Sequence, residues 1–304
     1  MDALSAMELF CRVVESGSFS AVAKEQKLTQ STISKAISSL EERLMVKLIN
    51  RSTRNINLTD IGREYYQHCR AILADINEAE SRVQKGVNKA VGTLRISSTA
   101  TFSRLFILPV INDLLVSNIE MSTDIIIDDG YVDLIKYGVD VAVRVGPNLD
   151  SSLIARKIGE GERVLVASPE YLKNYAPVKT VADLAEHHCL TYTREHHPEE
   201  WNFIDKNRNI ERVKVNSRFS SNNPDLLNQA AVEGMGLALV MLWTARDDIA
   251  EGRLVQVLPE VKPDSFPVNV VYPERKFMPL RVDLFIEQLR ESFNKRYKEE
   301  FLPD

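Results

Sequence analysis

Apolar residues recur every three or four positions through most of the first 86 residues, which is the periodicity of amphipathic helices. In the stretch QSTISKAISSLEERL the intervals are four, three and four, and the apolar residues are Ile33, Ile37, Leu40 and Leu44. Two shorter patterns precede it and predict helices over about residues 3–16 and 20–26. Gly17 is placed to end the first helix, and Thr29 is placed to cap the third. The pattern therefore predicts three short helices packed on one small core.

The polar surface of the third helix carries small hydroxyl side chains, where Glu, Lys and Arg would favour the helix more. In isolation such a face is typical of a solvated helix. Short polar side chains also let a helix approach base edges in the DNA major groove, and two short helices joined by about three residues form the helix-turn-helix pattern. The residues that we predict to contact DNA from these helices are Ser20, Gln30, Ser31, Thr32, Ser34, Lys35 and Ser38.

The segment VKLINRSTRNINLT that follows alternates apolar and polar residues around a turn at Ser52 and Thr53. This alternation predicts a short two-stranded hairpin, or wing. Arg51, Thr53 and Arg54 are predicted to contact DNA from the wing, with the two arginines gripping phosphate or reaching the minor groove. The helix pair and the wing together favour DNA binding over a merely solvated surface.

A long helix over about residues 60–86 follows the wing, and Thr59 is placed to cap it. Its apolar residues repeat at alternating intervals of four and three, which is a heptad seam. The seam can pack on the protein's own body. We expect it to pair with a second chain instead, because a long helix between two domains has little else to pack on. The residues of this predicted dimerisation seam are Tyr65, Cys69, Ile72, Ile76, Ala79 and Val83.

The pattern changes near residues 86–92 from helical to alternating strands and helices. Strands are predicted in TLRISS, STDIIID, VDVAVRVG, RVLVAS, LVQVL and PVNVVY. Helical patterns lie at about 103–117, 224–233 and 280–298. This alternation predicts α/β architecture with parallel sheets, and the segment is longer than one small sheet needs.

The composition, 44% hydrophobic and 27% charged, is ordinary for a globular protein of 304 residues, and no apolar run reaches 18 residues. Together with an amphipathic N-terminal helix in place of an export signal, it predicts a cytoplasmic protein with no membrane partner. The charge is uneven, since residues 1–90 carry a formal net charge of +2 and residues 91–304 one of −7. A locally basic segment on an acidic protein is the electrostatic signature expected of a DNA-binding domain.

Two clusters of small polar residues lie at predicted helix starts in the second part of the chain. Helix N-termini offer free N–H groups and a partial positive charge, so they favour anions. The first cluster follows the strand TLRISS and contains Thr99, Thr101 and Ser103, of which capping explains only one. The second precedes the helix at 224–233 and contains Ser221, Asn222 and Asn223. Arg144 is placed to pair either with such an anion or with a structural aspartate.

The remaining candidate chemistry is weak. Five residues could suggest a metal site, namely His187, His188, Cys189, His196 and His197, but adjacent histidines do not easily face one ion, so we predict a loop without metal. Cys11 and Cys69 are expected to be buried. A redox role for Cys189 would need activating neighbours that the sequence does not show. No GxSxG, GxGxxG or P-loop signature is present, so we predict neither an enzyme nor a cofactor.

The first 65 residues resemble the winged helix-turn-helix of LysR-type transcriptional regulators, through GSFSAVAKE, TQSTISKAISSLEERL, NRSTR and LTDIGREYY. The resemblance continues in DLIKYGVDVAVRVG, VLVASPEYL, the pair Trp201 and Phe203, GMGLALV and PVNVVYPERK. Lys27 and Met45 depart from it, because they stand where the family commonly has glycine. A residue other than glycine in a left-handed turn costs about 1 kcal/mol.

The resemblance implies a winged helix-turn-helix over residues 1–60, a linker helix and hinge over 61–90, and an effector-binding domain over 91–304. That domain would resemble periplasmic solute-binding proteins, with one subdomain of residues 91–162 and 267–304 and another of 163–266. A small anionic or polar effector would bind between the two helix starts. The implied effector contacts are Thr99, Ala100, Thr101, Phe102, Ser103, Arg144, Phe203, Ser221, Asn222 and Asn223.

The leading hypothesis is therefore a transcriptional regulator that is not an enzyme. Its expected partners are double-stranded promoter DNA, a small-molecule effector, a second copy of itself in a dimer or tetramer, and the transcription machinery. Two alternatives are a redox-responsive regulator acting through Cys189 and a solute-binding protein without a DNA role. The DNA-binding pattern and the absence of an export signal oppose the second alternative.

Overall fold

The computed structural model describes residues 2–51, 56–85, 89–128, 133–135, 137–146, 153–193, 199–204, 209–274 and 278–301. Its α-helices are α1 (Ala3–Ser16), α2 (Phe19–Glu25), α3 (Gln30–Leu44), α4 (Asp60–Lys85), α5 (Ala100–Phe102), α6 (Leu108–Ser117), α7 (Pro169–Asn174), α8 (Pro224–Val232), α9 (Leu242–Ala250) and α10 (Leu280–Phe301). A π-helical turn (Ser103–Ile107) joins α5 to α6, and a 3₁₀ helix spans Val181–Glu186.

The strands fall into four sheets. They are β1 (Ile49–Arg51), β2 (Ile56–Leu58), β3 (Gly92–Ser98), β4 (Met121–Ile127), β5 (Val141–Val145), β6 (Leu153–Gly161), β7 (Arg163–Ala167), β8 (His188–Tyr192), β9 (Glu200–Ile204), β10 (Ile210–Lys214), β11 (Asn216–Ser221), β12 (Leu237–Met241), β13 (Val255–Gln256), β14 (Lys262–Pro263) and β15 (Phe266–Pro273). The predicted combination of a winged helix-turn-helix, a long linker helix and an α/β domain is confirmed.

The N-terminal helices form as the sequence predicts. Gly17, with a φ of 65°, ends α1, and Thr29 caps α3 by accepting a hydrogen bond from the backbone of Thr32. The apolar stripe of α3 is buried in a common core with α1 and α4. Lys27 and Met45 adopt positive φ angles of 54° and 55°, so the two residues that replace the family's glycines do lie in left-handed turns.

The linker helix α4 corrects part of the predicted dimerisation seam. Cys69 is fully buried in the core of the DNA-binding domain, and the ring of Tyr65 lies 5.8 Å from that of Phe10 on α1. The assignment of Cys69 to an interface between chains is therefore wrong, because the core formed with α1 covers it, whereas the half-buried Tyr65 stays a predicted interface residue. Ile72 is exposed and Ile76 is half-buried, so the heptad pattern is available to a partner beyond the first three turns of α4.

The two larger sheets each have five strands and are mixed, so the prediction of parallel sheets is only partly right. The first has the order β4-β3-β5-β15-β6, in which β3 runs parallel to β4 and β5 while β15 is antiparallel to β5 and β6. The second has the order β11-β8-β12-β7-β13, in which β7 is the antiparallel strand. Neither antiparallel strand follows a helical crossover. Strand β7 begins two residues after β6, and β15 begins three residues after β14, which belongs to the three-stranded sheet β10-β9-β14.

An aromatic cluster joins the two sheets near the end of β6. Trp243 at the start of α9 contacts Phe102 and Phe106, with ring centroids 5.8 Å and 5.6 Å apart, and also contacts Phe293 on α10. A Cβ on Gly161 would lie 2.3 Å from the Trp243 ring, so only glycine allows the strand to pass so close. By length and composition the helix of residues 100–117 could cross a membrane, but its aromatic and aliphatic side chains contribute to this core.

Candidate functional site

The outer face of α3 presents polar side chains above an apolar stripe that is buried at Ile33, Ile37 and Leu40 and half-buried at Leu44. Ser20, Gln30, Ser31 and Lys35 are exposed, and Thr32, Ser34 and Ser38 are half-buried. The Thr29 hydroxyl lies 2.8 Å from both the Ser31 and the Thr32 hydroxyls, so these two groups are already oriented at the helix start. The predicted DNA-contacting residues of α2 and α3 therefore share one accessible surface, which we call the α3 surface.

A buried carboxylate fixes the wing against α3. Glu41 is only 3% exposed, and its Oε1 accepts hydrogen bonds of 2.9 Å and 3.1 Å from the backbone N–H groups of Leu48 and Ile49. Its Oε2 lies 2.8 Å from the Lys47 ammonium. Burial alone would raise the pKa of Glu41, but Lys47 and the two N–H groups outweigh it and hold the pKa below the ordinary value. This role was not predicted from the sequence, although an acidic residue at a buried helical position is a signal of it.

Some predicted contacts fall outside the described residues or side chains. Thr53 and Arg54 lie in the undescribed tip of the wing, and only the backbone of Arg51 is described. The side chains of Ala79 and Val83 on α4 are likewise outside the description. The contributions assigned to these five residues remain predictions.

The two predicted helix starts of the effector domain meet in the structure. The hydroxyl of Thr101 in α5 donates a hydrogen bond to the carboxylate of Asp225 in the first turn of α8. Thr101 follows β3 of the first large sheet and Asp225 follows β11 of the second, so this contact bridges the two parts of the domain. Asp225 was not among the predicted residues, because nothing in its local sequence distinguishes it from an ordinary first-turn aspartate. We call the contact between Thr101 and Asp225, with the neighbouring residues 97–103 and 221–225, the ligand junction.

Three buried hydroxyls of the ligand junction have no hydrogen-bond partner among the described residues. They belong to Ser97 and Ser98, at the end of β3, and to Ser103, at the start of the π-helical turn, and each residue is at most 6% exposed. The Thr99 side chain makes no capping hydrogen bond at the start of α5. A buried hydroxyl without a partner is costly unless water or a ligand satisfies it. All three residues lie within four positions of Thr101 in the chain, so their hydroxyls are candidate contacts for a small polar molecule.

Other predicted effector contacts are engaged elsewhere. Phe203 is fully buried in the core beneath β9 and Phe102 in the aromatic cluster, so the prediction that these rings contact an effector is wrong. An apolar ring is more stable in a core than beside a polar ligand. Asn223 caps α8 by accepting a hydrogen bond from Leu226, and Ser221 accepts one from the Asn223 backbone. Asn222 is exposed beside them.

Arg144 lies at the same sheet edge as the ligand junction. The parallel register pairs Ser97 on β3 with Ala142 on β5, and Arg144 follows two residues later. Ligands of α/β domains commonly bind beyond the carboxyl ends of parallel strands, which is where this edge lies. Arg144 is half-buried and Ala100 is half-buried at the first turn of α5. The arrangement keeps Arg144 among the candidate ligand contacts.

The histidine and cysteine cluster is structural within the described residues. His187 and Cys189 flank the start of β8, so the prediction of a loop is wrong for this part, and the His187 Nδ1 lies 3.1 Å from the hydroxyl of Tyr171. Burial lowers the pKa of His187 and raises that of Cys189 to about 12. A thiol with so high a pKa is almost entirely protonated at neutral pH and is a poor redox sensor. His196 and His197 lie outside the described residues.

Two family models match the chain. Residues 4–63 match the bacterial regulatory helix-turn-helix protein, lysR family, and residues 88–294 match the LysR substrate binding domain. The HTH-type transcriptional activator AaeR of Escherichia coli (strain K12) is 35% identical over 294 residues, covering 96% of this chain and 94% of that protein.

Solved structures agree with these matches. The structure of CrgA, a LysR-type transcriptional regulator from Neisseria meningitidis, has a TM-score of 0.58 at 30% identity and covers 96% of this chain and 98% of that one. The full-length structure of the Vibrio cholerae virulence activator AphB has a TM-score of 0.56 at 29% identity and covers 95% of this chain and 98% of that one.

Proposed function

Since the chain belongs to the LysR family of DNA-binding transcriptional regulators, we propose that it reads promoter DNA through the α3 surface and responds to a small carboxylate at the ligand junction. Members of this family have an effector-binding domain and form oligomers. The regulator therefore works in the cytoplasm as a dimer or a tetramer built from dimers, in contact with the transcription machinery.

The observation that carries the DNA-binding role is the exposed polar face of α3 above a buried stripe. Gln30 at the helix start can pair with adenine through both of its amide atoms, and Lys35 can contact phosphate. Ser31, Ser34 and Ser38 are short enough to keep the helix close to the groove. The basic wing residues Arg51 and Arg54 would extend the contact on either side.

The observation that favours a carboxylate effector is the meeting of two helix starts beside unpartnered hydroxyls. Asp225 already places a carboxylate there, and it accepts the hydrogen bond of Thr101. An effector carboxylate can take the same donor only by displacing Asp225, so effector binding would part or rearrange the two halves of the domain. A ligand shifts a conformational equilibrium only by its difference in affinity for the two states, and this exchange of partners supplies such a difference.

The test begins with DNA selected from a random-sequence pool by the full-length protein. We expect the selected duplexes to share a site with approximate two-fold symmetry, and we expect a dimer or larger species in sedimentation at micromolar concentration. A monomer, or a pool without a common site, would contradict the proposal. A thermal-shift screen of small carboxylates, with the corresponding amides as controls, then tests the effector class.

The alternative functions lack a supporting observation. Cys189 is buried with a raised pKa, which opposes a redox-responsive regulator acting through that thiol. A solute-binding protein has no need of a capped α3 with an exposed polar face. The solute-binding alternative predicts that substitutions on the α3 surface leave the protein's function unchanged, and the redox alternative predicts that substitution of Cys189 abolishes the regulator's response.

A further inference from the structure

A contact between α4 and the effector domain lies outside both sites described above. Oε1 of Gln67, on α4, accepts a 2.6 Å hydrogen bond from Nη1 of Arg95, on β3. The Arg95 side chain is only 16% exposed, so this hydrogen bond is largely shielded from water. It is a direct polar link between the helix that supports the DNA-binding domain and the first strand of the effector domain.

Arg95 has partners in the effector domain for both its side chain and its backbone. Its Nε lies 3.3 Å from Oδ2 of Asp124 on the adjacent strand β4. Its backbone N–H donates a 3.0 Å hydrogen bond to Oδ2 of Asp140. The other oxygen of Asp140 lies 3.5 Å from Nη2 of the buried Arg281 on α10. The guanidinium therefore lies between Asp124 on β4 and Gln67 on α4, and the backbone beside it is bonded to Asp140.

The turn at residues 137–138 closes around this hydrogen bond. Nη1 of Arg95 also lies 3.5 Å from the carbonyl oxygen of Tyr137. Gly138 has a φ of 61°, and a Cβ there would lie 3.0 Å from Oε1 of Gln67 and 3.4 Å from Nη1 of Arg95. A larger residue would press into the hydrogen bond, so glycine is what lets the two parts approach.

The positive charge of Arg70 acts on Arg95 near its hydrogen bond with Gln67. Arg70, one turn after Gln67 on α4, is turned towards the DNA-binding domain, where its Nε lies 4.0 Å from Glu15. Burial and the positive charge of Arg70 both lower the pKa of Arg95. Repulsion between the two arginines opposes the Gln67 hydrogen bond, and a neutral acceptor offsets this repulsion less than a carboxylate would.

Strand β3 connects this contact to the ligand junction. Arg95 precedes Thr99 by four residues, which is roughly 13 Å along a strand. Ser97 and Ser98, two of the residues with unpartnered hydroxyls, lie between them. A ligand that orders the end of β3 therefore acts on the strand that carries Arg95.

We propose that Arg95 is a positioning residue that orients the DNA-binding domain through Gln67, and that β3 couples this contact to occupancy of the ligand junction. This inference rests on the proposed function, since it presumes DNA binding at one end and ligand binding at the other. Coupling between two binding sites is reciprocal. DNA binding should therefore alter β3, and this effect can be measured before the effector is known.

The experiment is hydrogen exchange followed by mass spectrometry on the full-length protein, with and without a duplex selected for binding. In the wild-type protein we expect DNA to change the exchange rates of amides in residues 92–103 by at least about fivefold, the lower end of typical coupling. In Gln67→Leu we expect DNA still to bind and this change to disappear. His68→Leu is the matched control, because His68 is a neighbour on α4 whose described ionic contact is a 3.9 Å approach to Glu64.

Gln67→Glu separates loss of the contact from damage to the helix. It supplies a carboxylate acceptor for Arg95, so we expect the exchange response to DNA to be retained or enlarged. An equal response in the wild type and in Gln67→Leu would overturn the inference, and so would a wild-type response absent from residues 92–103. Failure of the wild type to bind any selected duplex, measured first by fluorescence anisotropy, would instead refute the proposed function and the inference with it.

Discussion

The α3 surface and the ligand junction are built in opposite ways. The α3 surface is made chiefly by one helix of 15 consecutive residues, and its cap is the residue just before them. The ligand junction joins Thr101 to Asp225, which are 124 residues apart in the chain. A locally built surface depends on helix periodicity and capping, whereas a junction of distant segments depends on the packing of two sheets. The two should therefore respond differently to substitution.

The largest loss of stability is expected from substitution of Glu41, whose carboxylate joins α3 to the first strand of the wing. In Glu41→Gln the charge is lost and one amide group must face two N–H donors and an ammonium. We expect the free energy of unfolding of the DNA-binding domain to fall by about 1–3 kcal/mol, measured by urea denaturation. Glu42→Gln is the matched control, because Glu42 is adjacent and exposed. Equal stability of the two variants would show that the buried carboxylate is not needed.

Acid should reproduce this loss in the wild type. The pKa of Glu41 is held below its ordinary value of 4.5 in the folded protein, so its contribution to stability is present above that value. The contribution is lost as the pH falls through the lower folded pKa. We expect the wild type to lose more stability than Glu41→Gln between about pH 5 and pH 3. Parallel stability curves for the two proteins over this range would contradict the assignment.

A smaller effect is expected at the ligand junction. Asp225→Ala and Thr101→Val each remove one partly buried hydrogen bond, so each should destabilise the effector domain by about 1–2 kcal/mol. Because they remove the same bond, the double variant should lose no more than either single variant. Additive losses would mean that the two helix starts are not in contact. Asp113→Asn, at an exposed position on α6, controls for the loss of a surface charge.

The smallest effect is a gain in stability at Met45, which ends α3. Met45 is 90% exposed and has a φ of 55°, so its side chain contributes little packing and its backbone is strained. We expect Met45→Gly to leave DNA affinity unchanged and to raise the stability of the DNA-binding domain by about 0.5 kcal/mol, since relief of strain exceeds the entropy that glycine adds to the unfolded chain. A lower thermal midpoint for Met45→Gly than for the wild type would contradict this.

The DNA-binding part was predictable because its signals are local. The stripe of Ile33, Ile37 and Leu40, the Thr29 cap and the Gly17 stop each act within about one helical turn of the residue that shows them. The heptad pattern of α4 wrongly predicted that Cys69 contacts a second chain, because periodicity shows that a face is buried without showing what covers it. Here α1 of the same chain covers it.

The effector domain was less predictable because the position and direction of its strands depend on neighbouring strands that are distant in sequence. LALVM in β12 is buried on both faces, and such an apolar run does not distinguish strand from helix. The antiparallel placement of β7 and β15 follows from passages between sheets, which no local pattern records. Asp225 and the pair of Gln67 with Arg95 were missed for the same reason, since each gains its role from a residue distant in sequence.

Contact between the α3 surface and DNA phosphate can be measured through the salt dependence of DNA binding by Lys35→Ala. Each lost phosphate contact should reduce the slope of log affinity against log salt concentration by about 0.9. We expect Lys35→Ala to bind DNA more weakly than the wild type and to show this smaller slope. We expect an unchanged slope for Lys173→Ala, an exposed lysine on α7 of the effector domain. Equal slopes for the wild type and both variants would contradict this contact.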